Sequence, residues 1–507
     1  MTGILTNSFK TKLVQTVVAD IANSISDANN SYYVAFGGPN PWPDDYNPPD
    51  ADNSVQSSSY DVYDKMLFGK KVSPGDAISI TRKNVWTIDT IYDYYSHRDP
   101  DLYSKNFFVI NKYGRVYKCL FNNYGAKSTV EPNETVTKTH FITADGYVWK
   151  YMYAIYSSYS KKFSTDTHMP VVPDPNVSLN AEDGAIHVIV LDNLGQNYIS
   201  ASGYVEDVLD STLTTTTVKI SNANASGITG AYNGSAFYVS AGSEEGTLAI
   251  ITNFTVNSSG KFINTDVDLQ GLNTSSYYNI APRVTIVGDG FDARAVASVN
   301  TFNGSIDSVT MISRGYGYNS ATVKFTANVE FGSDASAYPI ISPVGGHGSD
   351  VYNELGVDTL GISLDTFSSD DFPEWINYRQ TSLLGSPIAT ANNQVYQEPT
   401  FFQTFSLGVA NLSDLMPAEE IVTGYNSGAT ATVVYMTTTD LYVIAPVGTF
   451  QLGETLTGFY TGITCTIAAI NTRDLVPYKG DVLHLNNFQP ISRDGAPSEQ
   501  VKLYFKV

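Results

Sequence analysis

A short internal duplication near the C-terminus constrains the fold of this chain most strongly. The segment EIVTGYNSGATATVV begins at residue 420 and ETLTGFYTGITCTIA begins at residue 454, an offset of 34. Identical residues pair Glu420 with Glu454, Thr423 with Thr457, Gly424 with Gly458, Gly428 with Gly462 and Thr432 with Thr466. Each copy has the alternation and Gly-containing turn of a β-hairpin. Two such hairpins can pack face to face as a small barrel or sandwich of roughly 60 residues, near the lower limit for an independent domain.

A longer duplication lies upstream. GAIHVIVLDNLGQNYISA begins at residue 184 and GSIDSVTMISRGYGYNSA begins at residue 304, an offset of 120. The copies match Gly184 with Gly304, Ile186 with Ile306, Gly195 with Gly315 and Tyr198 with Tyr318. Glycine followed by tyrosine at a fixed spacing fits a tight turn braced by an aromatic ring. A second interpretation, in which Tyr198 and Tyr318 stack on sugar rings, stays open at this point.

The segment ADGYVWKYMYAI, residues 144–155, alternates with a period of two after an Asp-Gly turn. Tyr147, Trp149, Tyr151, Tyr153 and Ile155 fall on one face of a strand, and Val148, Lys150, Met152 and Ala154 fall on the other. One interpretation is a strand buried on one face only. The other is that the aromatic face meets another chain, because Tyr and Trp combine a large contact area with a polar tip.

The composition favours strands over helices throughout the chain. Charged residues make up only 16%, while 35 Tyr, 24 Phe and 4 Trp are present. A length of 507 residues implies several hydrophobic cores. We therefore predict an all-β dominated fold, in which a β-sandwich body with an N-terminal helix carries inserted small β-domains.

The charge balance and the hydropathy profile argue against two classes of partner. The formal net charge of −21 repels phosphate groups, so direct nucleic-acid binding is not expected. The sequence contains no apolar run of about 18 residues, so membrane insertion is not predicted. The N-terminus lacks the pattern of a secretory signal, so we expect synthesis in the cytosol. Cys119 and Cys465 lie beside strand-like residues, and we expect both to be buried free thiols.

One helix and one ordered loop stand out near the N-terminus. In residues 9–25, Val14, Val17, Val18, Ile21 and Ile25 recur at helical spacing, with Asn7 and Ser8 as candidate capping residues. The following segment contains Gly37, Gly38, Pro39, Pro41, Pro43, Pro48 and Pro49, a density that predicts a long ordered loop.

The sequence contains no organised catalytic motif. The histidines do not fall at metal-ligand spacing, and no nucleophile-elbow, Walker or dinucleotide fingerprint is present. In YYSHRDPD, His97, Asp99 and Asp101 have the chemistry to bind a divalent ion, although a solvated loop is the better interpretation. A glycosidase-like carboxylate pair, distant in sequence and close in space, stays open. We predict no enzymatic activity, no cofactor and no metal site.

Several segments, in order along the chain, resemble a baseplate wedge subunit of contractile-tailed phages of the T-even type. They are YYVAFGGPNPWPDD, ITRKNVWTIDTIYDYY, ADGYVWKYMYAI, YRQTSLLGSPI and the terminal GDVLHLNNFQPISRDGAPSEQVKLYFKV. The resemblance covers residues 1–170, 350–395 and 476–507, about half of the chain. It implies a non-enzymatic virion protein of the tail baseplate, assembled in the host cytoplasm. That protein forms a homodimer, binds other baseplate wedge proteins and shifts position during sheath contraction.

The two duplicated regions depart from the T-even pattern and are interpreted as insertions. The predicted division is a wedge body at 1–175, an inserted β-rich region at 176–345, a continued body at 346–414, an inserted barrel or sandwich at 415–475 and closing body strands at 476–507. Structural or interface anchors are predicted at Phe36, Trp42, Trp86, Tyr147, Trp149, Tyr151 and Arg379. Two alternative functions stay open: a receptor-binding tail protein that recognises host surface glycans, and a polysaccharide-degrading tail enzyme.

Overall fold

The fold is dominated by β-strands. The computed structural model describes residues 4–24, 26–54, 56–209, 217–221, 223–269, 271–328, 330–365, 377–491 and 499–507. In this part of the chain strands account for 44% and helices for 11%, which confirms the predicted fold class. The chain divides into two compact units: unit 1 comprises 1–82, 158–171 and 357–507, and unit 2 comprises 83–157 and 172–356.

The helices and strands have the following bounds. The α-helices are α1 Asn7–Asn23, α2 Ser57–Lys65, α3 Ser157–Phe163, α4 Pro175–Leu179 and α5 Val351–Glu354. The first strands are β1 Tyr32–Gly37, β2 Met66–Lys71, β3 Ala77–Arg82, β4 Phe108–Ile110, β5 Arg115–Phe121, β6 Phe141–Ile142, β7 Val148–Ala154, β8 His168–Pro170, β9 Ile186–Asn193, β10 Ala201–Leu209, β11 Thr217–Ile220, β12 Ala236–Ala241, β13 Leu248–Asn257, β14 Gly260–Thr265 and β15 Tyr277–Ala281. The others are β16 Arg283–Gly288, β17 Phe291–Val299, β18 Ile306–Tyr316, β19 Ala321–Thr326, β20 Ser336–Ile341, β21 Thr359–Asp365, β22 Tyr378–Gly385, β23 Thr400–Phe402, β24 Phe405–Ala410, β25 Ile421–Gly424, β26 Thr430–Met436, β27 Asp440–Val447, β28 Thr455–Gly458, β29 Thr464–Asn471, β30 Asp481–Ile491 and β31 Gln500–Lys506.

Unit 1 contains two open sheets and one closed barrel. The sheets have the strand orders β23-β2-β1-β22-β30 and β31-β21-β3-β8, and the barrel has the order β24-β27-β26-β25-β28-β29. We name the duplication with the offset of 34 the 34-residue repeat. Both of its copies lie in this barrel, with β25 of the first copy paired antiparallel to β28 of the second. Of the two arrangements predicted from the repeat, the barrel is the one observed, and it takes in β24, which starts before the predicted boundary at 415.

Unit 2 contains a second closed barrel and three smaller sheets. The barrel has the order β10-β11-β14-β13-β12-β15, and the sheets are β18-β17-β16-β19, β20-β9 and β4-β5-β7-β6. The barrel interior is filled by apolar side chains, with Phe237, Ile251, Phe254, Ile263 and Tyr278 fully buried. We name the duplication with the offset of 120 the 120-residue repeat. A second core lies under the strands of this repeat.

The boundaries of the two compact units do not coincide with the boundaries of the five predicted segments. Residues 83–157 belong to the same unit as 172–356, whereas the prediction placed them with the N-terminal residues. The 34-residue repeat belongs to the unit that contains both chain ends. Which parts are insertions therefore stays a prediction.

The N-terminal helix forms as predicted but begins at a different cap. Thr6, rather than Asn7 or Ser8, is the N-cap, and its hydroxyl accepts the Phe9 N–H at 3.4 Å. Val14 and Ile21 are fully buried, while Val17 and Val18 are half-buried. Ile25 lies outside the described residues.

The two copies of the 120-residue repeat bind each other through their backbones. The Tyr198 N–H donates to the Gly304 carbonyl at 2.8 Å, and the Tyr318 N–H donates to the Gly184 carbonyl at 3.3 Å. A Cβ at Gly184 would lie 2.2 Å from the Tyr318 nitrogen, so only glycine permits this approach. The matched Gly–Tyr pairs therefore hold the two copies together.

Candidate assembly surfaces

The seven predicted anchor residues separate into two groups, one in each unit. Trp86, Tyr147, Trp149 and Tyr151 belong to one aromatic cluster in unit 2. Phe36, Trp42 and Arg379 belong to unit 1, where β1 and β22 run side by side. The side chains of the two groups differ in exposure.

In unit 2 the aromatic strand β7 is buried on both faces. The Tyr147, Trp149 and Tyr151 rings lie in the core, and the opposite face, including Lys150, is buried as well. The prediction of a strand with one exposed face is therefore wrong, because other parts of unit 2 cover both sides. The aromatic face leaves no area for a partner chain, so the interface interpretation of this face is also wrong.

The aromatic cluster is held by hydrogen bonds as well as by packing. Tyr147 stacks on Trp149 with ring centroids 5.4 Å apart, and its hydroxyl donates to the Ala126 carbonyl at 2.6 Å. Trp86 is half-buried against the cluster and donates its indole N–H to the Ser128 hydroxyl at 3.1 Å. These four predicted anchors are structural.

In unit 1 the Pro-rich loop that follows β1 is clamped by a buried arginine. The Arg379 guanidinium donates two bonds of 2.8 Å to the Asp45 carboxylate and one of 2.8 Å to the Pro39 carbonyl. Asp45 also accepts the Trp42 N–H at 2.8 Å. A two-pronged guanidinium–carboxylate contact fixes orientation as well as distance. The hydrogen bonds from Arg379 hold the pKa of the Asp45 carboxyl below its usual range.

The same loop presents aromatic surface to solvent. Trp42 is half-buried, and its indole N–H donates to the Phe488 carbonyl at 3.0 Å. Tyr46 is 88% exposed, and its carbonyl accepts a bond of 3.1 Å from the Gln489 side chain. A cavity of about 430 Å³ lies beside Trp42 and is lined by Asp50, Asp52, Asp61, Asp64 and Lys65, among others. We name residues 38–50 the Trp42 loop.

Phe36 supports this loop from within the sheet. Its ring stacks on Phe68 at 5.3 Å and meets the edge of Tyr378 at 5.1 Å. Tyr378 directly precedes Arg379 in β22, so the packing of Phe36 also positions the arginine that clamps the loop. Phe36 and Arg379 therefore have structural roles. Trp42 lies in the loop that they support and is partly exposed at the surface.

A second exposed aromatic surface lies on the barrel of unit 1, at the turns of the 34-residue repeat. Tyr425 follows β25 and is 83% exposed, and Phe459 and Tyr460 follow β28 and are each 71% exposed. We name these three residues the barrel rings. The repeat aligns Tyr425 with Phe459. From the sequence, it predicts sheet structure but not the exposure of these rings, because a turn sequence does not show which way its side chains point.

Each barrel turn is capped by the glutamate of the other repeat copy. The buried Glu454 carboxylate accepts the N–H groups of Asn426 at 3.1 Å and Ser427 at 2.9 Å, and the Ser427 hydroxyl at 2.9 Å. The buried Glu420 carboxylate accepts the Tyr460 N–H at 2.6 Å. These exchanged caps fix the backbone that carries the barrel rings, and they explain why the glutamates match between copies.

The glycines of the barrel repeat make room for these carboxylates. A Cβ at Gly424 would lie 2.7 Å from Glu454 Oε2, and a Cβ at Gly458 would lie 3.0 Å from Glu420 Cδ. The burial of Glu454 raises the pKa of its carboxyl, but the N–H donors of Gln451 and Ser427 outweigh this, so the pKa is lowered. The turn therefore stabilises the deprotonated form of Glu454.

The sugar-stacking interpretation of Tyr198 and Tyr318 is wrong. Both rings lie in the core of unit 2, at 6% and 5% exposure. The Tyr198 ring is enclosed so tightly that a Cβ at Gly332 would lie 2.1 Å from it. Neither ring face is open to a ligand, because the turns that were expected to brace the tyrosines also cover them.

In the polar loop YYSHRDPD, the side chains of Asp99 and His97 contact other groups of the chain. Asp99 pairs with the Lys105 ammonium at 2.5 Å and accepts the Asp101 N–H at 3.1 Å. His97 Nδ1 accepts the Ile341 N–H at 3.3 Å. Among the residues that the structure describes, no group of three His, Cys, Asp or Glu side chains is arranged to hold a metal ion.

No protein-family model matches the sequence, and no curated protein matches it significantly. Within the described ranges, no helix is both long enough and apolar enough to cross a bilayer.

Proposed function

We propose that this chain is a structural subunit of a phage tail baseplate wedge, which assembles through protein–protein interfaces and moves with the baseplate during sheath contraction. The observation that carries the proposal is the presentation of exposed aromatic rings on turns whose backbones are held by buried charged groups. Arg379 holds the Trp42 loop, and Glu420 and Glu454 hold the barrel rings.

Exposed rings on fixed turns suit permanent assembly for an energetic reason. Aromatic side chains are enriched at interface cores and dominate binding energy there. A turn that is already ordered loses little conformational entropy on binding, so more of the contact energy remains as affinity. Tyr46 and the barrel rings meet both conditions, whereas the rings of β7 do not.

The named assembly and its partners rest on the resemblance of the sequence to T-even wedge subunits. The proposed partners are other baseplate wedge proteins and a second copy of this chain, and the proposed location is the tail baseplate of the virion. The most strongly supported contact surfaces on this chain are the Trp42 loop and the barrel rings.

The proposal is tested by co-expressing the full chain with the other tail proteins of the same phage genome and isolating the complexes. We expect a homodimer by light scattering and co-purification with at least one wedge protein. Replacing Tyr425, Phe459 and Tyr460 together by Ser, or Tyr46 by Ser, should weaken the corresponding complex by about tenfold or more, the effect of losing about 1.4 kcal/mol of contact energy.

The matched control is Phe302→Ser. Phe302 is 98% exposed in the turn between β17 and β18 of unit 2. Its replacement by Ser should leave both complexes unchanged. A chain that stays monomeric and co-purifies with none of the tail proteins would overturn the proposal. If Phe302→Ser weakens the complexes as much as the other variants do, the two surfaces are assigned wrongly.

A further inference from the structure

The face of β7 opposite its aromatic rings carries a buried group of basic side chains. Lys150 on β7 pairs with Lys118 on β5, and the ring of His187 on β9 lies 5.4 Å from the ring of His140. The full group, which we name the basic cluster, is Lys118, His140, Lys150, His187, His347 and the acidic Glu354. Burial of this much charge in one core is unusual, because ionisable groups are rarely buried unless they are paired.

The cluster holds two ammonium groups and one carboxylate. Lys118 Nζ lies 2.5 Å from Glu354 Oε2, and both side chains are almost completely buried. Lys118 Nζ also lies 4.0 Å from the centroid of the Tyr95 ring. Lys150 is 1% exposed and donates to the Thr137 carbonyl at 2.5 Å, and no carboxylate among the described residues pairs with it. Burial lowers the pKa of Lys118 and lowers the pKa of Lys150 to about 8. Below about pH 8 the Lys150 ammonium is therefore charged, and the cluster is positive before any histidine takes up a proton.

The three histidines form a chain through this cluster. His140 Nδ1 lies 3.1 Å from His187 Nδ1, and the His187 and His347 rings lie 5.1 Å apart. His347 is fully buried, and neither of its ring nitrogens has a hydrogen-bond partner among the described residues. Its Nδ1 lies 3.7 Å from Glu354 Oε2, the oxygen that Lys118 already occupies.

His347 is carried by a segment made almost entirely of glycine. Gly345, Gly346 and Gly348 have φ values of 82°, 94° and 93°, which other residues rarely adopt. The Gly348 N–H donates to Glu354 Oε1 at 2.6 Å, and the Gly345 N–H donates to Asp183 at 2.7 Å. The His347 ring also meets the Tyr95 ring edge to face, with centroids 4.9 Å apart, and this packing anchors the segment as well. We name residues 345–348 the histidine strap.

We propose that the histidine strap is an acid-sensitive latch, which lies in the basic cluster while His347 is neutral and leaves it when His347 is protonated. A protonated His347 would add a further positive charge beside Lys118 and Lys150. Glu354 is the one cluster carboxylate, and it is already shared between Lys118 and the Gly348 N–H. Protonation would therefore repel the strap more than Glu354 could attract it.

The other charged groups around the cluster strengthen this effect. Arg314 on β18 donates to the Lys138 carbonyl at 3.0 Å and pairs with Glu182 at 3.4 Å. Burial, and then the positive charges of Arg314 and Lys150, lower the pKa of His140 to about 4. Burial, followed by the charges of Lys118 and Lys150, lowers the pKa of His347 well below its ordinary value.

The direction of the pH effect follows from these lowered pKa values. An unfolded histidine takes up a proton near pH 6.5, whereas the folded cluster resists it. The stability that the neutral cluster provides is fully present above about pH 6.5 and is lost progressively as the pH falls toward the folded values. For His140 that loss extends from about pH 6.5 to about pH 4.

The latch is tested by hydrogen–deuterium exchange of the full chain between pH 7.5 and 5, corrected for intrinsic exchange rates. Peptides that cover 343–354 should lose protection by about tenfold or more, which corresponds to one pKa unit of unfavourable protonation. Peptides from the barrel of unit 1 should keep their protection. His347→Gln removes one of the three titrating rings and should clearly reduce the pH dependence of these peptides, whereas His168→Gln, in unit 1, should leave it unchanged.

Unchanged protection of 343–354 across this range, or the same pH dependence in His347→Gln, would overturn the latch. If His347→Gln does not fold, NMR titration of histidine-labelled wild-type protein decides the question. A His347 signal that titrates near pH 6.5 in the native state contradicts the proposal. A signal that stays neutral until the native resonances of the strap disappear supports it.

Discussion

The two internal repeats of this chain hold their copies together by different means. In the 34-residue repeat, each copy places a buried glutamate against the turn of the other, so the contact is made by side chains. In the 120-residue repeat, the copies exchange backbone hydrogen bonds between Gly184 and Tyr318 and between Gly304 and Tyr198. Both arrangements are reciprocal, and both depend on glycine where the copies approach closely.

The difference explains why one repeat is clearer in the sequence than the other. A carboxylate that accepts several N–H groups requires a particular side chain, and the glycine beside it must stay small. Glu420, Glu454, Gly424 and Gly458 are therefore identical in position and type. Backbone hydrogen bonds require no particular side chain, so the longer repeat can diverge at most positions except its glycines and tyrosines.

The largest expected effect is that of Gly184→Ala on unit 2. The added Cβ would meet the Tyr318 nitrogen at 2.2 Å, in a backbone with φ of 64°, and would separate the two copies. We expect a loss of about 3 kcal/mol or more in the free energy of unfolding of unit 2. Urea unfolding followed by hydrogen exchange measures it, because exchange distinguishes unit 2 from unit 1.

The control for this variant is the neighbouring Gly317→Ala. Gly317 has a φ of 71°, but a Cβ there would meet no atom of the described residues within 4 Å. Only the cost of the left-handed backbone remains, about 1 kcal/mol. Equal losses for the two variants would show that the close approach of Gly184 and Tyr318 does not hold the copies together.

A smaller effect is expected when the barrel caps are changed. Glu454→Gln replaces an acceptor of several N–H groups by an amide with one oxygen, and it should destabilise the barrel by about 2 kcal/mol. Glu420→Gln should cost about 1 kcal/mol or less, because Glu420 Oε2 has no hydrogen-bond partner among the described residues. Hydrogen exchange of the barrel strands in each variant provides the comparison, and a larger loss for Glu420→Gln would contradict it.

The same cap predicts an acid dependence of the barrel. The pKa of Glu454 is lowered on folding, so its contribution to stability is present above the unfolded value of about 4.5 and is lost as the pH falls below it. Thermal unfolding of the barrel should therefore shift to lower temperature below about pH 4.5. Glu454→Gln should flatten this dependence, and an unchanged slope in that variant would assign it to other groups.

The smallest effect is expected for Tyr198→Phe in the longer repeat. The Tyr198 hydroxyl accepts the Ala335 N–H at 3.4 Å, which is a weak bond. The ring that fills the space between the two copies is retained, so we expect a loss of about 0.5 kcal/mol. Urea unfolding of unit 2 measures it, and a loss of several kcal/mol would show that the hydroxyl, rather than the ring, is essential.

Much of the fold could be predicted from the sequence, but the role of its aromatic residues could not. The all-β class, the helix over Asn7–Asn23 and the hairpins of the shorter repeat follow from local patterns. The clamp between Arg379 and Asp45 joins residues that are far apart in sequence, and no local pattern announces it. The basic cluster was missed for the same reason, since Lys118 and Glu354 are brought together only by folding.

The sequence by itself determined which side chains share a strand face and which glycines and glutamates recur, because these depend on backbone period and turn chemistry. Only the tertiary structure decided which faces are covered. The rings of β7 are buried, as are Lys150 on its other face and the two repeat tyrosines, while Tyr46 and the barrel rings remain exposed. The physical reason is that a strand's period assigns side chains to two faces, but burial depends on the elements that pack against each face.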